Sequence, residues 1–519
     1  MELSSFPLAC CSLLLLLICS SCVLVVRRLF YSPIAHFPGP RLAAATFLYE
    51  FYYDVVRDGR YTWEIRRMHQ QYGPIVRINP YELHISDPYF YDKIYVGPTR
   101  RTQKWHWSAK MFGTTRASVG TVDHDVHRMR RAALNPSFSK QSVSRLEPVI
   151  QRCIDRLCER LREFSGTGKY VNLSNAFTCL SADVIGSYAF GRPYGFLESE
   201  DFHPAWRKLM MDLSRSTHLM KQLGWAYGLL TCIPEFLVNL VHPLTKELFR
   251  LRRDIASQIA KVRLMDKYGG QQVPQTIFHG LFASGLPAEE LSTERLTEEG
   301  LTIVGAGTVT TAHTLTVIVF HLLSNSHVLE ALRRELDDAA AEGPEWTWTK
   351  LARLPLLSAV ISEGLRMSYG VSHRLQRISP DSPLQYKQWT IPAGTPVSMT
   401  QMDMHENETI FPEADAFMPA RWLNEAQRQA LEAGTVPPEA REARKFLVPF
   451  SRGTRACLGI NLAYAELHLA IGSLFRPVEC GGLDLELFET DRDEVTCELD
   501  WFNPAPKLGS KGVRVIVHR

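Results

Sequence analysis

The chain has 519 residues, of which 45% are apolar, and a formal net charge of +3 at pH 7. This length is ample for a large hydrophobic core, and the near-neutral charge argues against a nucleic-acid-binding protein, which would be distinctly basic. The 11 cysteines are an odd number, which does not indicate a disulfide framework in so long a chain, so a reducing compartment is expected.

The N-terminus predicts a membrane anchor. No charged residue occurs from Leu3 to Val26, and Arg27 and Arg28 follow at once. About 20 apolar residues span a bilayer core, whereas a cleaved signal peptide has a shorter apolar stretch that positive charge precedes. The positive-inside rule then places the two arginines and everything after them in the cytosol.

A stiff turn is predicted after the anchor, at Pro38-Gly39-Pro40, because proline fixes φ and glycine frees it. This turn would set a soluble domain against the membrane. No Pro-, Gly- or Ser-rich linker divides the rest of the chain. The predicted organisation is an anchor (residues 1–28), a hinge (residues 29–40) and one large domain (residues 41–519).

The periodicity predicts a mainly α fold with small β-sheets. Short alternating runs at residues 72–86 are separated by Asn79-Pro80 and indicate a pair of strands. Helical spacing of apolar positions dominates residues 147–323. Further strand-like stretches lie at residues 389–399 and 513–517.

One cysteine lies where a thiolate is expected. The segment FSRGTRACLG, residues 450–459, precedes an apolar, helix-forming run, so Cys457 is at a loop-to-helix junction. Partial positive charge and free N–H groups at a helix N-terminus are expected to lower its pKa. Gly453 permits a tight turn, and Gly459 permits close approach of a flat ligand. Arg455 can pair with a carboxylate, and the Phe450 ring can exclude water from the sulfur. The alternative of an ordinary buried cysteine leaves the glycines and the arginine unexplained.

This segment resembles the haem-binding signature F-x-x-G-x-R-x-C-x-G of the cytochrome P-450 superfamily, and it matches every fixed position. The resemblance implies a large helical domain with small β-sheets around a buried haem, plus an N-terminal transmembrane helix. It makes the sulfur of Cys457 the iron ligand and residues 41–519 the haem-thiolate catalytic domain. Thiolate ligation pushes electron density onto iron and favours O–O cleavage.

Residues 301–323 are apolar and predict a central buried helix. Gly305 and Gly307 interrupt it, each at a cost of about 1 kcal/mol relative to alanine. Two explanations remain open from the residues alone. The helix passes closely over a haem face, where a Cβ would collide with bound oxygen, or it packs against another helix through small residues.

The same run resembles the oxygen-binding motif A-G-x-(D/E)-T-T of the family. Ala306, Gly307, Thr310 and Thr311 match it and are the implied catalytic residues, but Val309 occupies the acidic position. Valine carries no exchangeable proton, so proton delivery is expected to be slowed or to use another route.

Glu298 and Glu299, at the start of the same helix, are candidate proton sources, although both are distant along the sequence from the threonines.

Two other groups of residues resemble family patterns. Glu363 and Arg366 form an E-x-x-R pair and Arg421 lies in a P-x-R-W segment. Alone, such a pair would be a surface ion pair worth little, but the resemblance implies a buried network behind the cysteine loop.

Arg131 matches the arginine of a W-x-x-x-R pattern that reaches a haem propionate, with His127 in place of the tryptophan. Arg377 aligns with another propionate-binding arginine. The alternative for both arginines is a solvated surface charge.

No nucleotide- or flavin-binding glycine motif follows a strand, so electrons are expected from a partner protein. Basic residues near the cysteine loop would attract an acidic surface, and the resemblance implies NADPH–cytochrome reductase. These basic residues are Arg128, Arg441, Arg444, Lys445 and Arg452.

The predicted substrate is a hydrophobic small molecule delivered from the membrane. Its contacts are expected from residues 105–120, 206–236, the region around Val304, and 368–373. The motifs EGLRMSYG and GAGTVTTAHTL resemble fungal enzymes of specialised metabolism, including the trichodiene-oxygenase group, which implies a terpenoid or polyketide.

The resulting prediction is a monomeric, single-pass monooxygenase of the endoplasmic reticulum membrane. Two alternatives stay open. One is a haem-thiolate isomerase, dehydratase or peroxide-using enzyme that needs no reductase, and the other is a non-enzymatic haem sensor.

Overall fold

The computed structural model describes residues 5–224, 243–268, 276–343, 345–430 and 443–518. Helices dominate these ranges, and the strands are only two to four residues long. The expectation of a mainly α fold with small sheets is confirmed. The longer helices are Ser5–Phe30, Tyr61–Tyr72, His124–Leu134, Lys140–Arg162, Leu173–Phe190, Pro204–Gln222, Pro243–Tyr268, Thr293–Leu323, Ser326–Ala341, Pro355–Met367 and Ile460–Phe475. Short helices are Arg41–Ala45, Leu48–Phe51, Tyr91–Ile94, His106–Ala109, Ile277–Phe282, Trp348–Leu351, Gln401–His405 and Glu425–Ala430.

Four small sheets lie among the helices. The largest contains, in spatial order, the strands Ile75–Arg77, Leu83–Ile85, Pro396–Ser398 and Arg377–Ile378. A second has the order Val171–Asn172, Arg514–Val517, Leu485–Leu487, and two hairpins pair Leu384–Tyr386 with Trp389–Ile391 and Leu499–Trp501 with Asn503–Ala505. The strand pair predicted at residues 72–86 is confirmed, with Ile75 opposite Ile85. The stretch at residues 389–399 holds two strands, which pair with different neighbours.

The helix Thr293–Leu323, hereafter the central helix, forms the axis of the core. It packs against Leu173–Phe190, Pro355–Met367 and Ile460–Phe475. Although it is long and apolar enough to cross a bilayer, 67% of its most apolar window is buried inside the protein. Gly364 shows how tight the packing is, because a Cβ there would lie 2.1 Å from Ile318 Cγ1.

Among the described residues, the other helix with membrane-spanning length and composition is the N-terminal one. Cys10–Phe30 has a mean hydropathy of 2.4, and none of its most apolar window is buried. The Pro38-Gly39-Pro40 turn follows this helix and is hydrogen-bonded to the largest sheet, since the Arg77 N–H donates to the Pro38 carbonyl at 2.7 Å. A Cβ at Gly39 would lie 2.4 Å from the Arg77 carbonyl oxygen, so only glycine fits this approach.

A buried ionic network holds the helix Pro204–Gln222, hereafter the roof helix. Lys221 Nζ lies 2.8 Å from both Glu50 Oε1 and Asp54 Oδ2, and all three side chains are inaccessible to solvent. The Arg374 guanidinium binds the same Glu50 oxygen at 2.6 Å and Glu82 Oε1 at 2.9 Å. These charges hold the pKa of Glu50 well below its ordinary value, against the opposing effect of burial.

Asp500 extends this network to the C-terminal hairpin. Its carboxylate lies 2.9 Å from His373 Nδ1, and it accepts hydrogen bonds from Ser372 Oγ and Thr62 Oγ1, both at 2.8 Å. The pKa of Asp500 is lowered, since the His373 and His218 rings and these hydrogen bonds outweigh burial. The network therefore joins the N-terminal segment, the roof helix and the hairpin without contact with bulk water.

Candidate active site

A cavity of about 520 Å³ lies between the central helix and the loop that carries Cys457. The Cys457 backbone N–H donates to the Phe450 carbonyl at 2.8 Å, which closes the loop. The following helix begins at Ile460, with Gly459 as its N-cap residue. The structure thus places Cys457 at the loop-to-helix junction that the sequence predicts, with its side chain on the cavity.

The expected lowering of the Cys457 pKa by the helix N-terminus is present, but it does not decide the net shift of the free thiol. Burial raises its pKa and outweighs the hydrogen bond from the Gly459 N–H and the nearby charge of Arg131. The helix terminus therefore assists ionisation without being sufficient for it. Coordination to a metal cation is the effect that deprotonates a thiol outright.

The loop is shaped by one glycine that the sequence singles out and by one aromatic ring. Gly453 has φ of +77°, and a Cβ there would lie 2.2 Å from the Val96 carbonyl oxygen. Phe450 packs against the core and contacts the ring of Tyr464 at a centroid distance of 5.4 Å. At Gly459 a Cβ would lie 4.0 Å from the Cys457 sulfur, which leaves the space beside the sulfur open.

Cationic side chains line the cavity near the cysteine loop. Arg455 donates to the carbonyls of Thr121 and Val122 at 2.7 and 2.9 Å, while its Nε has no hydrogen-bond partner. Burial and the neighbouring Arg377 lower the pKa of Arg455 to about 9. Arg377 itself donates to the Gln376 carbonyl, and burial lowers its pKa as well.

Arg131 and His127 complete this cluster, together with Lys104, which sequence reasoning missed. Arg131 donates to the Ala456 carbonyl at 2.7 Å and to Asn135. Burial and the surrounding arginines lower the pKa of His127 to about 2, so this ring is neutral. Burial also takes the pKa of Lys104 well below its usual range, with Arg455 and Arg377 contributing.

None of these four cations has a carboxylate within ion-pair distance among the described residues. The cations are Lys104, Arg131, Arg377 and Arg455. Arg377 is buried and the other three cations are half-buried, and charge withdrawn from water without a counter-ion is destabilising, so the cluster favours an anionic ligand. The two propionates of a haem fit this requirement, and the sulfur of Cys457 lies on the same cavity.

The central helix presents an open face to the cavity. Ala306 is exposed there although the helix is a core helix, and a Cβ at Gly305 would meet nothing within 4 Å. Thr310 donates to the Ala306 carbonyl at 2.9 Å, as expected for a threonine that bends a helix. Thr311 is buried at the cavity edge, and Val309 packs partly on the core.

Gly307 requires a correction. Although it borders the cavity, a Cβ on it would lie 2.8 Å from the side chain of Ile185 on the neighbouring helix Leu173–Phe190. The collision that the glycine avoids is therefore with a packed side chain rather than with bound oxygen. Helix packing, the second of the two open explanations, accounts for Gly307. At Gly305 a Cβ would meet no side chain, so close passage over a haem face stays the prediction for that glycine.

The structure brings Glu363, Arg366 and Arg421 together in the interior. Arg366 donates to both oxygens of Glu363 at 2.8 and 3.0 Å, and Arg421 Nε lies 3.1 Å from Glu363 Oε1. All three are buried, so they do not form the solvated pair of the alternative interpretation. Arg366 also donates to the His405 carbonyl, and His405 Nε2 accepts from the Val448 N–H, which connects the network to the cysteine loop.

Residues expected to contact substrate do line the cavity, with one exception. Met111 to Val119, Met210 to Met220 and Gly370 to Val371 contribute lining residues, whereas Val304 itself is buried in the core. Residues 225–236 of the expected segments lie outside the described residues. Sequence reasoning missed Phe502 and Asn503 of the C-terminal hairpin, where the Phe502 ring meets Phe112 edge-on at 4.7 Å. No motif marks this hairpin.

Comparison with known proteins agrees with this geometry. The family model of cytochrome P-450 matches residues 45–479. A tryptophan 6-hydroxylase of Fusarium equiseti is 43% identical over 515 residues, which cover 98% of this chain and 96% of the relative. An N-acetyltryptophan 6-hydroxylase of Emericella nidulans is 43% identical over 98% of this chain and 97% of its own length. A conidiogenone synthase of Penicillium rubens is 40% identical over 96% of this chain and 97% of its own length. The chain therefore belongs to the cytochrome P-450 family and is an oxidoreductase with a haem-thiolate cofactor.

Proposed function

We propose that this chain inserts one oxygen atom from O2 into an apolar small molecule of secondary metabolism, with electrons from NADPH through a reductase. The observation that carries the proposal is the cavity itself. It has the Cys457 sulfur on one side, the open face of the central helix on the other, and four cationic side chains on its wall. A haem-thiolate bound there supplies O2 activation.

The residues of this chain have separate tasks in the proposal. Arg131, Arg377 and Arg455, with Lys104 and neutral His127 between them, hold the propionates. Cys457 ligates the iron, while Phe450 and Gly459 keep water away from the sulfur and leave room for a flat ligand. These tasks follow from the positions of the side chains around the cavity.

On the other side of the cavity, Ala306 and Gly305 leave space for oxygen, and Thr310 holds a hydroxyl beside it. Thr311 is buried next to Thr310 on the cavity wall and is proposed to support its position. Glu363, Arg366 and Arg421 are structural, since they tie the cysteine loop to the protein interior.

The electron partner is proposed to dock on the basic face beside the cysteine loop. Arg128, Arg444 and Lys445 are exposed there, whereas the Arg452 charge is offset by Asp92 at 2.8 Å, and Arg441 lies outside the described residues. An acidic surface of NADPH–cytochrome reductase is the expected complement.

The substrate is proposed to be a terpenoid or polyketide, because most side chains on the cavity wall are apolar. Such side chains include Met111, Leu213, Leu251, Val371 and Phe502. The named relatives also include two hydroxylases of tryptophan compounds, so indoles form the comparison set. The haem absorption spectrum is measured with terpenoids and polyketides and, separately, with indoles. The compound class that changes the spectrum identifies the substrate class.

The membrane arrangement is proposed from the N-terminal helix. Residues 1–28 anchor the chain in the endoplasmic reticulum membrane in a single pass, residues 29–40 form the hinge, and residues 41–519 form a monomeric catalytic domain in the cytosol. The helix Cys10–Phe30 is unburied over its most apolar window and carries no charge before Arg27, and this pattern, followed by the hinge, supports the arrangement.

Labelled dioxygen tests the reaction class. Full-length protein in vesicles with a reductase and NADPH is expected to place one labelled atom in the product. Product without label, formed without NADPH, would indicate an isomerase or dehydratase, and product formed from peroxide alone would indicate a peroxide-using enzyme. These enzymes are the second candidate because Val309 replaces the acidic residue of the oxygen-binding motif. Haem binding with no turnover of any substrate would favour a sensor.

A further inference from the structure

The proton supply of this enzyme is unassigned, and the inference that follows rests on the proposed monooxygenase function. Each O2 consumed requires two electrons and two protons, because one oxygen atom leaves as water. Val309 supplies neither proton. Among the described residues on the cavity wall, the carboxyl groups belong to Glu299 and Glu466.

Glu299 is almost completely buried, with 2% of its surface exposed. Its Oε2 accepts hydrogen bonds from the Ser118 N–H at 3.1 Å, the Ser118 hydroxyl at 3.0 Å and Arg295 at 2.6 Å. No hydrogen bond from the described part of the chain reaches Oε1. Ser118 lines the cavity as well, so the carboxyl group lies where the cavity meets the loop of residues 113–119.

A continuous face of the central helix leads from Glu299 toward Thr310. Residues three or four apart lie on the same face of a helix, and Thr302, Ala306 and Val309 continue this row, each on the cavity wall. The row is open at Gly305, where a Cβ would meet nothing within 4 Å. The rise of a helix places Thr310 about 16 Å from Glu299, a distance that only a file of water molecules can bridge.

The opposite side of Glu299 leads toward solvent. Arg295 Nε lies 3.3 Å from Glu290 Oε2, and Glu290 in turn binds Arg130 at 2.7 Å. The Glu290 side chain is partly exposed, at 15%. Two of the three Arg295 nitrogens, Nε and Nη1, have no hydrogen-bond partner, and the buried guanidinium forms ion pairs with both Glu299 and Glu290. An arginine does not release its proton, so it acts by changing carboxylate partner, which exposes Glu299 to protonation from water.

Glu466 is the weaker candidate. It lies on the helix that follows Cys457, on the sulfur side of the cavity, and it faces Ser181 and Cys153 in the helical core. Thr310 is on the opposite wall. A proton from Glu466 would have to pass the position that the haem occupies.

We propose that Glu299 donates protons into the cavity through water held along the open face of the central helix. In each transfer the carboxyl O–H bond breaks, a water molecule next to it gains the proton, and another proton leaves the far end of the file beside Thr310. A proton from bulk water then reprotonates the Glu299 carboxylate, and it enters along the partly exposed side chain of Glu290. Arg295 and Arg130 favour the charged form, whereas burial raises the pKa of Glu299 and favours the protonated form.

Replacement of the acid by its amide tests this proposal in the haem-loaded, full-length protein with reductase. Glu299→Gln keeps an oxygen that accepts from Ser118 but holds no transferable acid proton. We expect product per NADPH to fall at least tenfold while NADPH use continues and peroxide is released, and Glu299→Asp to recover part of the loss. The matched control is Glu298→Gln, whose carboxylate is similarly buried and accepts from the Arg116 N–H at 2.7 Å but does not line the cavity.

A second measurement does not depend on turnover. Burial raises the pKa of Glu466 as well, so other protonated buried carboxyls contribute to the infrared spectrum. In difference spectra against the unmodified protein, Glu299→Gln is expected to lose one protonated-carboxyl band that titrates at a higher pH than an exposed glutamate, and Glu298→Gln is expected to retain that band. The proposal is overturned if Glu299→Gln couples NADPH to product as well as Glu298→Gln does, or if only Glu466→Gln lowers the coupling. Absence of labelled oxygen in the product of the unmodified enzyme would instead refute the proposed function, so the two failures are distinguishable.

Discussion

Replacement of Lys221 by methionine is expected to destabilise the protein strongly. The ammonium lies 2.8 Å from two buried carboxylates, and its loss leaves Asp54 with only the His218 ring, at 3.3 Å, as a partner for Oδ2. Asp54 Oδ1 has no hydrogen-bond partner in the described structure. Removal of one member of a buried ion pair costs about 3–5 kcal/mol, because the remaining charge stays in a low-dielectric interior.

This cost converts into a modest but measurable thermal shift. An unfolding entropy of about 2.1 cal/mol/K per residue over 519 residues gives about 1.1 kcal/mol/K, so the midpoint should fall by about 3–5 °C. The assay is thermal loss of the thiolate-type haem spectrum in detergent, at a fixed heating rate. Substrate affinity should weaken as well, because the roof helix lines the cavity.

Two variants decide whether charge is the cause. Lys208→Met removes an ammonium from the same helix that is 75% exposed and paired with Asp212, and it should change stability by less than about 0.5 kcal/mol. The double variant Lys221→Met with Asp54→Asn removes the stranded charge and should be more stable than Lys221→Met alone. A Lys221→Met midpoint equal to that of Lys208→Met, or no recovery in the double variant, would refute the reasoning.

Other substitutions have equally definite outcomes. Cys457→Ala should abolish the thiolate-type absorption spectrum, and an unaltered spectrum would remove the sulfur from the site. Gly307→Val should lower the free energy of unfolding by about 1–3 kcal/mol by overpacking against Ile185, and Ile185→Ala should restore stability in the double variant. Loss of haem-dependent activity without loss of stability would favour the explanation by bound oxygen instead. For Asp500, a folded pKa below the unfolded value contributes stability above about pH 4 that is lost as pH falls. The free energy of unfolding should therefore fall less steeply with decreasing pH in Asp500→Asn than in the unmodified protein. Identical slopes of unfolding free energy against pH below about pH 4 would contradict this.

The sequence predicted those parts of the site that contiguous motifs encode. The loop around Cys457, the buried contacts of Glu363 and the long central helix all follow from local patterns, because each depends on residues close together in the chain. The error at Gly307 has a physical reason. A small residue in a helix serves a ligand or a neighbouring side chain equally well, and only the position of Ile185 distinguishes the two.

The rest of the site depends on contacts across the whole chain, which no local pattern records. The roof network joins Glu50, Lys221, Arg374 and Asp500, which are separated by more than 100 residues from one another. Lys104 reaches the cation cluster from a loop without a motif. Pairings of this kind are set by tertiary packing, and a single sequence contains no periodic signal for them.

The cation cluster on the cavity wall has a consequence for how the protein matures. Before the cofactor arrives, none of the four cations has a carboxylate within ion-pair distance among the described residues, and Arg377, Arg455 and Lys104 repel one another. A ligand that binds only the native chain stabilises it by mass action. In newly made chains, the segments that carry these four cations should therefore remain locally less stable until haem is inserted. A cell short of haem would accumulate protease-sensitive protein rather than an intact but inactive enzyme.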